Sequence, residues 1–176
     1  MFGECHAHVI MNGMNYKEAV SLHKNGVQDR IIHHCFREYQ KRGITFIRDG
    51  GDALGVSGRA KKLAPEYGID YRSPIFAIHR EGHYGSIVLE AKREGADFIK
   101  IMTTGLLDFN DQGKITGTPL PADEVKELVH IAHGEGLAVM SHTNGVYGVR
   151  ASIEAGMDSI EHGNYIDEET IEMLAQ

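Results

Sequence analysis

Asp97-Phe98-Ile99-Lys100-Ile101-Met102 is the stretch on which the fold turns. It is a short apolar run, as in a strand buried on both faces of a parallel sheet, yet a lysine stands inside it. A lysine there must be neutralised, paired or modified, because an isolated ammonium is costly to bury. The strand alone leaves two readings open. Carbamylation would turn the side chain into an anion able to bridge two cations; alternatively, the stem is buried and the amine pairs with a carboxylate.

Three other segments put a metal-capable side chain where an inward-facing barrel strand would end: His6-Ala7-His8, His142 in Ala138-Val139-Met140-Ser141-His142, and His162 in Ser159-Ile160-Glu161-His162-Gly163. His6 and His8 are two residues apart, so on a strand both imidazoles face one side and can chelate one ion. The same alternation points Cys5 to the opposite face. His142 and His162 each stand where a strand gives way to a Gly-containing loop, which is where parallel barrels present catalytic side chains. In order and type, the set reads as a two-metal hydrolase site.

The rest of the chain repeats one rhythm: a short β-branched run, a loop, then a helix-like segment, the signature of βα units. Candidate strands are Glu4–Ile10, Thr45–Asp49, Tyr71–Ile78, Phe98–Met102, Leu137–Ser141 and Ser159–Glu161. Between Phe98–Met102 and Leu137–Ser141, Val125, Leu128, Val129 and Ala132 recur at helical spacing. Gly43, Gly68, Gly95, Gly136 and Gly156 each precede a strand, as a glycine that stops a helix does. About six units against the eight of a closed barrel of roughly 250 residues predict an α/β chain, a (β/α)8 TIM-barrel-like fold that is incomplete. Residues 1–176 are read as a single catalytic barrel domain, truncated at its C-terminus. A doubly wound sheet would carry a Gly-rich phosphate turn after its first strand, and that position holds His6-Ala7-His8-Val9-Ile10-Met11-Asn12-Gly13 instead.

With 41% hydrophobic residues, the chain of 176 can build a real core. Its 18 Lys and Arg against 25 Asp and Glu give a charge of −7 without a basic cluster, which argues against nucleic acid as a partner. No apolar run approaches the roughly 20 residues of a membrane span, and no secretory pattern opens the chain, so a soluble cytoplasmic protein is expected. Cys5 and Cys35 are read as reduced thiols.

These residues resemble the amidohydrolase superfamily, and within it the imidazolonepropionase and Xaa-Pro dipeptidase (prolidase-like) branch. Besides His6-Ala7-His8, the stretch Gly43-Ile44-Thr45-Phe46-Ile47-Arg48-Asp49-Gly50-Gly51 resembles that branch's second strand. Phe98-Ile99-Lys100-Ile101-Met102 resembles the carboxylated-lysine strand, Ser141-His142-Thr143-Asn144-Gly145 the fifth, and Ile160-Glu161-His162-Gly163 the sixth. The resemblance implies a (β/α)8 fold, two divalent metal ions, usually Zn²⁺, and hydrolysis of C–N bonds in small amide, dipeptide or cyclic amide substrates. It also implies roles: His6 and His8 on the first metal, a CO2-derived carbamate on Lys100 bridging both, and His142 and His162 on the second. Lys100, His142 and His162 would then be the catalytic residues, with a metal-bridging hydroxide as nucleophile. Two of the family's features have no counterpart here. No N-terminal β-sandwich segment is expected before His6 and no eighth-strand Asp before Gln176, and Asp158 and Asp167, which flank His162, are read as standing on the wrong strand. General acid–base help is typically worth 10²–10⁴-fold, so a chain without that Asp is expected to be a weak catalyst.

His79 and His83 bracket Arg80-Glu81-Gly82 after the third strand and, with Tyr84, are candidate substrate contacts. Thr103-Thr104-Gly105 could line the pocket, Arg48 and Asp49 are read as an ion pair, and His130 with His133 as a solvated helical pair. Two competing readings stay open. One is a catalytically silent metal-binding barrel fragment with a structural or assembly role. The other is a metal-dependent phosphoesterase or deoxyribonuclease, against which Lys100 argues. Unpaired strand edges in an incomplete barrel predict a homo-oligomer.

Overall fold

Strand and helix alternate along the chain as the sequence rhythm predicts. The structure is a computed structural model and describes residues 2–11, 15–79 and 83–176. The chain divides into two units, Met1–Ala77 with Ala91–Asp97, and Ile78–Glu90 with Phe98–Gln176.

The first unit holds β1 (Phe2–Ala7), α1 (Tyr16–His23), α2 (Asp29–Lys41), β2 (Ile44–Asp49), α3 (Val56–Leu63), a 3-10 turn (Ala64–Tyr67) and β3 (Asp70–Arg72). Its three strands lie in the order β1-β2-β3, and both neighbouring pairs are parallel. Ile32, Cys35 and Phe36 share one face of α2, and that face is buried. Phe36 packs its ring against Tyr67 and edge-on against Tyr71, within a core that also takes Val9, Ile47, Val56 and Leu63. Asp52 caps α3, accepting from the amides of Leu54, Val56 and Ser57 at 2.6, 3.1 and 2.6 Å.

β4 (Ala77–Ile78) and α4 (Tyr84–Arg93) span the boundary between the units. The second unit continues with β5 (Ile99–Met102), α5 (Ala122–Gly134), β6 (Val139–Thr143), α6 (Gly145–Glu154), β7 (Ser159–His162) and α7 (Glu168–Leu174). Its sheet runs β4-β5-β6-β7, with β5–β6 and β6–β7 parallel. Val125, Leu128, Val129 and Ala132 form the buried face of α5, as their spacing predicts. The five glycines that precede strands all take positive φ, from 62° at Gly68 to 88° at Gly95.

The fold class is therefore α/β with parallel strands, an incomplete (β/α)8 type, and one expected strand is corrected. Tyr71–Ile78 is not continuous. Pro74 has no amide to give to a ladder, and Ile75 takes φ 70°, so β3 stops at Arg72 and β4 starts at Ala77 in the other sheet. Among the described residues no helix is long and apolar enough to cross a membrane.

Candidate metal centre

In the first unit, β1 ends at Ala7 and His8 stands one residue beyond it. The His6 and His8 rings lie 5.3 Å apart between centroids, tilted by 50°. Nδ1 of His8 is 3.1 Å from the carbonyl oxygen of Gly51. A carbonyl only accepts, so Nδ1 carries the proton and Nε2 the lone pair, the tautomer a metal ligand needs. Gly50 lies under the ring: a Cβ there would overlap Cε1 and Nε2 of His8.

The turn that supplies these contacts is tied to Asp49, which is 1% exposed. Its Oδ2 accepts from the Val9 amide at 2.8 Å, and its Oδ1 accepts from the Gly51 amide and the Ser57 hydroxyl, each at 2.7 Å. Ser57 in turn meets the Ser73 hydroxyl at 2.7 Å. Burial, and after it the Asp49 carboxylate, push the Tyr71 phenol well above its ordinary pKa. Arg48 donates to the Cys5 carbonyl at 2.7 Å, while Asp49 serves backbone amides. Adjacent strand residues face opposite ways.

In the second unit, register aligns Lys100 with Met140 and Met140 with Ser159, while His142 stands between Met102 and Glu161. With a period of two, Lys100, His142 and Glu161 share one face of the sheet, and they are 1%, 7% and 9% exposed. Register pairs His162 with Thr143, on the other face. His162 reaches His142 by breaking the alternation: its φ is 74°, and the two rings stand 4.6 Å apart at 65°. The strained turn is held by Gly163, whose amide donates to the Thr143 carbonyl at 3.1 Å, and by Asn144, whose Oδ1 accepts from the Asn164 side chain at 3.0 Å.

His142 is oriented as His8 is. Its Nε2 donates to the Gly105 carbonyl at 3.1 Å, which leaves the lone pair on Nδ1. Thr104 accepts from the Asn144 amide at 2.9 Å, so Thr103-Thr104-Gly105 supports the loop after His142. Thr103 is buried against Ser141, with the two hydroxyls 2.7 Å apart.

His79 and His83 are exposed; residues 80–82 between them lie outside the described residues. Tyr84 is buried, and its hydroxyl bonds to Glu124 of α5. Asp158 accepts from His133 and from the Val139 amide; burial opposes these bonds, but they win and hold its pKa below the ordinary value. Asp167 caps α7. Sequence reading missed two groups, the amide-binding role of Asp49 and the buried carboxylate of Glu161, which receives the Ser159 hydroxyl. A carboxylate within the candidate strand Ser159–Glu161 was the available signal for the second.

Among the described residues no group of three or more His, Cys, Asp or Glu side chains is arranged to hold a metal ion. The donor chemistry nevertheless fits divalent ions, because each unit contributes two adjacent imidazoles and, in each pair, one ring has its lone-pair nitrogen selected by a backbone carbonyl.

No protein-family model matches the chain. Ochratoxinase of Aspergillus niger is 34% identical over 134 residues, covering 76% of this chain and 27% of that protein. The chain resembles the amidohydrolase superfamily. Among solved structures the amidohydrolase fold recurs in a Xaa-Pro dipeptidase with methionine bound in its active site, at TM-score 0.75 and 20% identity over 98% of this chain and 50% of that one. An amidohydrolase matches at TM-score 0.72 and 20% identity, over 98% of this chain and 50% of its own. Crystalline A. niger ochratoxinase superposes at TM-score 0.72 over 98% of this chain and 49% of its own, and over that longer alignment the identity is 20%. This chain thus spans about a quarter of the curated relative's length and half of the solved amidohydrolases'.

Proposed function

We propose that the chain carries the metal-binding residues of a metal-dependent amidohydrolase that cleaves C–N bonds in small amide, dipeptide or cyclic amide substrates, and that residues 1–176 belong to one catalytic domain. The observation that carries this reading is the paired imidazoles of each unit, with one ring of each pair anchored on a backbone carbonyl. The likeness to ochratoxinase and to the dipeptidase supports the choice of C–N bonds.

In this proposal His6 and His8 would hold one divalent ion and His142 and His162 a second, and Lys100, as a CO2-derived carbamate, would add an anionic donor. Two imidazoles fall short of the three or four protein ligands usual for zinc, and the carbamate makes up part of the difference. Zn²⁺ suits these donors, as do Mn²⁺, Fe²⁺ and Co²⁺. Divalent ions there would bring the pKa of bound water toward neutrality and polarise a scissile carbonyl. The protein's own part is to present Nε2 of His8 and Nδ1 of His142, and to keep Lys100 on the buried face it shares with His142. His79, His83 and Tyr84 are the proposed substrate contacts. β1 and β7 are edge strands of their sheets, which supports a homo-oligomer, to be read by sedimentation.

The test is a panel of blocked dipeptides, N-acyl amino acids and cyclic amides incubated with the chain, divalent ions and bicarbonate. Cleavage that a chelator or Lys100→Ala abolishes is expected. Metal uptake without cleavage of any member would overturn the hydrolase reading in favour of a silent metal-binding protein.

A further inference from the structure

We infer that Asp49 is a positioning residue for His8: its two carboxylate oxygens fix the turn that selects the His8 tautomer and aims its Nε2. The inference deepens the metal-site reading above and rests on it for its chemistry, but the geometry lies wholly within the first unit. Oδ2 holds the amide of Val9, the residue immediately after His8, and Oδ1 holds the amide of Gly51, whose carbonyl accepts from Nδ1 of His8. One carboxylate therefore holds both loops that orient the ring, the one after β1 at Val9 and the one after β2 at Gly51, while Gly50 leaves room for the imidazole.

The chemistry requires an acceptor on both oxygens. Val9 and Gly51 each offer an N–H, and the Ser57 hydroxyl adds a third donor, so all three bonds point into the carboxylate. Asp49 is 1% exposed, so water cannot replace a lost acceptor. An asparagine would fit the space but turn one acceptor into an NH2 facing an N–H. The carbonyl of Gly51 would then lose its fixed place, and with it the reason for His8 to keep its proton on Nδ1.

Asp49→Asn tests this with two readings on the full chain. Long-range ¹H–¹⁵N correlations of the metal-free protein above pH 8 report the His8 tautomer, and titration with Co²⁺ reports affinity. Wild type is expected as the Nδ1–H form; Asp49→Asn is expected as a mixture of tautomers, with Co²⁺ affinity lower by about 10–100-fold, the usual effect of removing a group that orients a ligand. A folded Asp49→Asn with His8 still in the Nδ1–H form and Co²⁺ affinity within twofold of wild type would overturn the inference. Should that variant fail to fold, hydrogen exchange of the wild type decides: the Val9 and Gly51 amides, held by the carboxylate, are expected to be protected, and free exchange at either overturns the role. A wild type that takes up no Co²⁺, while Asp49→Asn still shifts the tautomer, supports the positioning role and instead overturns the metal reading.

Discussion

His162 gives up a comfortable backbone to meet His142. A residue with a side chain at φ 74° costs about 1–2 kcal/mol relative to its ordinary conformations. Glycine escapes that cost, so His162→Gly should be more stable than His162→Ala by about 1 kcal/mol in urea unfolding, the reverse of their order in a helix. An alanine variant as stable as the glycine variant would show that this backbone is not strained. Gly50 makes the opposite test, because its φ is unstrained and only space is at issue. Gly50→Ala should leave the fold intact and weaken metal binding by roughly 10-fold or more, read by Co²⁺ titration, since the new methyl would overlap the His8 ring. The residue types of the candidate site were legible because His6, His8, His142 and His162 stand at or near strand ends and Lys100 lies inside an apolar strand. The meeting of His142 with His162 was legible only through the family resemblance, because strict strand alternation would have sent the two rings to opposite faces.

Among elements, helix stops were the clearest signal. Gly43, Gly68, Gly95, Gly136 and Gly156 are needed for their positive φ, and that requirement is local enough to read from sequence. The split of Tyr71–Ile78 was hidden, because Ile75 is a β-branched residue in a left-handed conformation that its type does not announce. α7 offers a pH test. The Thr170 hydroxyl, then its amide, and, against some opposing burial, Arg150 hold the Asp167 carboxyl down to about 2. The unfolded chain has an ordinary Asp, near 3.9. The lowered group contributes stability that is complete above about pH 4 and is lost as pH falls through about 2. Cα chemical shifts of α7 should therefore move toward coil between those limits in wild type, and the acid-dependent part should vanish in Asp167→Asn. Equal acid sensitivity in both proteins would contradict the assignment.

For the whole molecule, each unit has its own buried residues, Phe36 and Ile47 in the first, Leu128 and Met140 in the second, and each carries one imidazole pair. The α/β class was legible from the repeat of strand, loop and helix, whereas the boundary near Ala77 follows from the interrupted strand and was not. The central claim is stoichiometric, so the most direct measurement is elemental mass spectrometry of the purified full chain after exposure to Zn²⁺ and bicarbonate and removal of loose ions. Close to two ions per chain is the expected result. Close to zero would contradict the proposed centre and leave the imidazole pairs as features of packing alone.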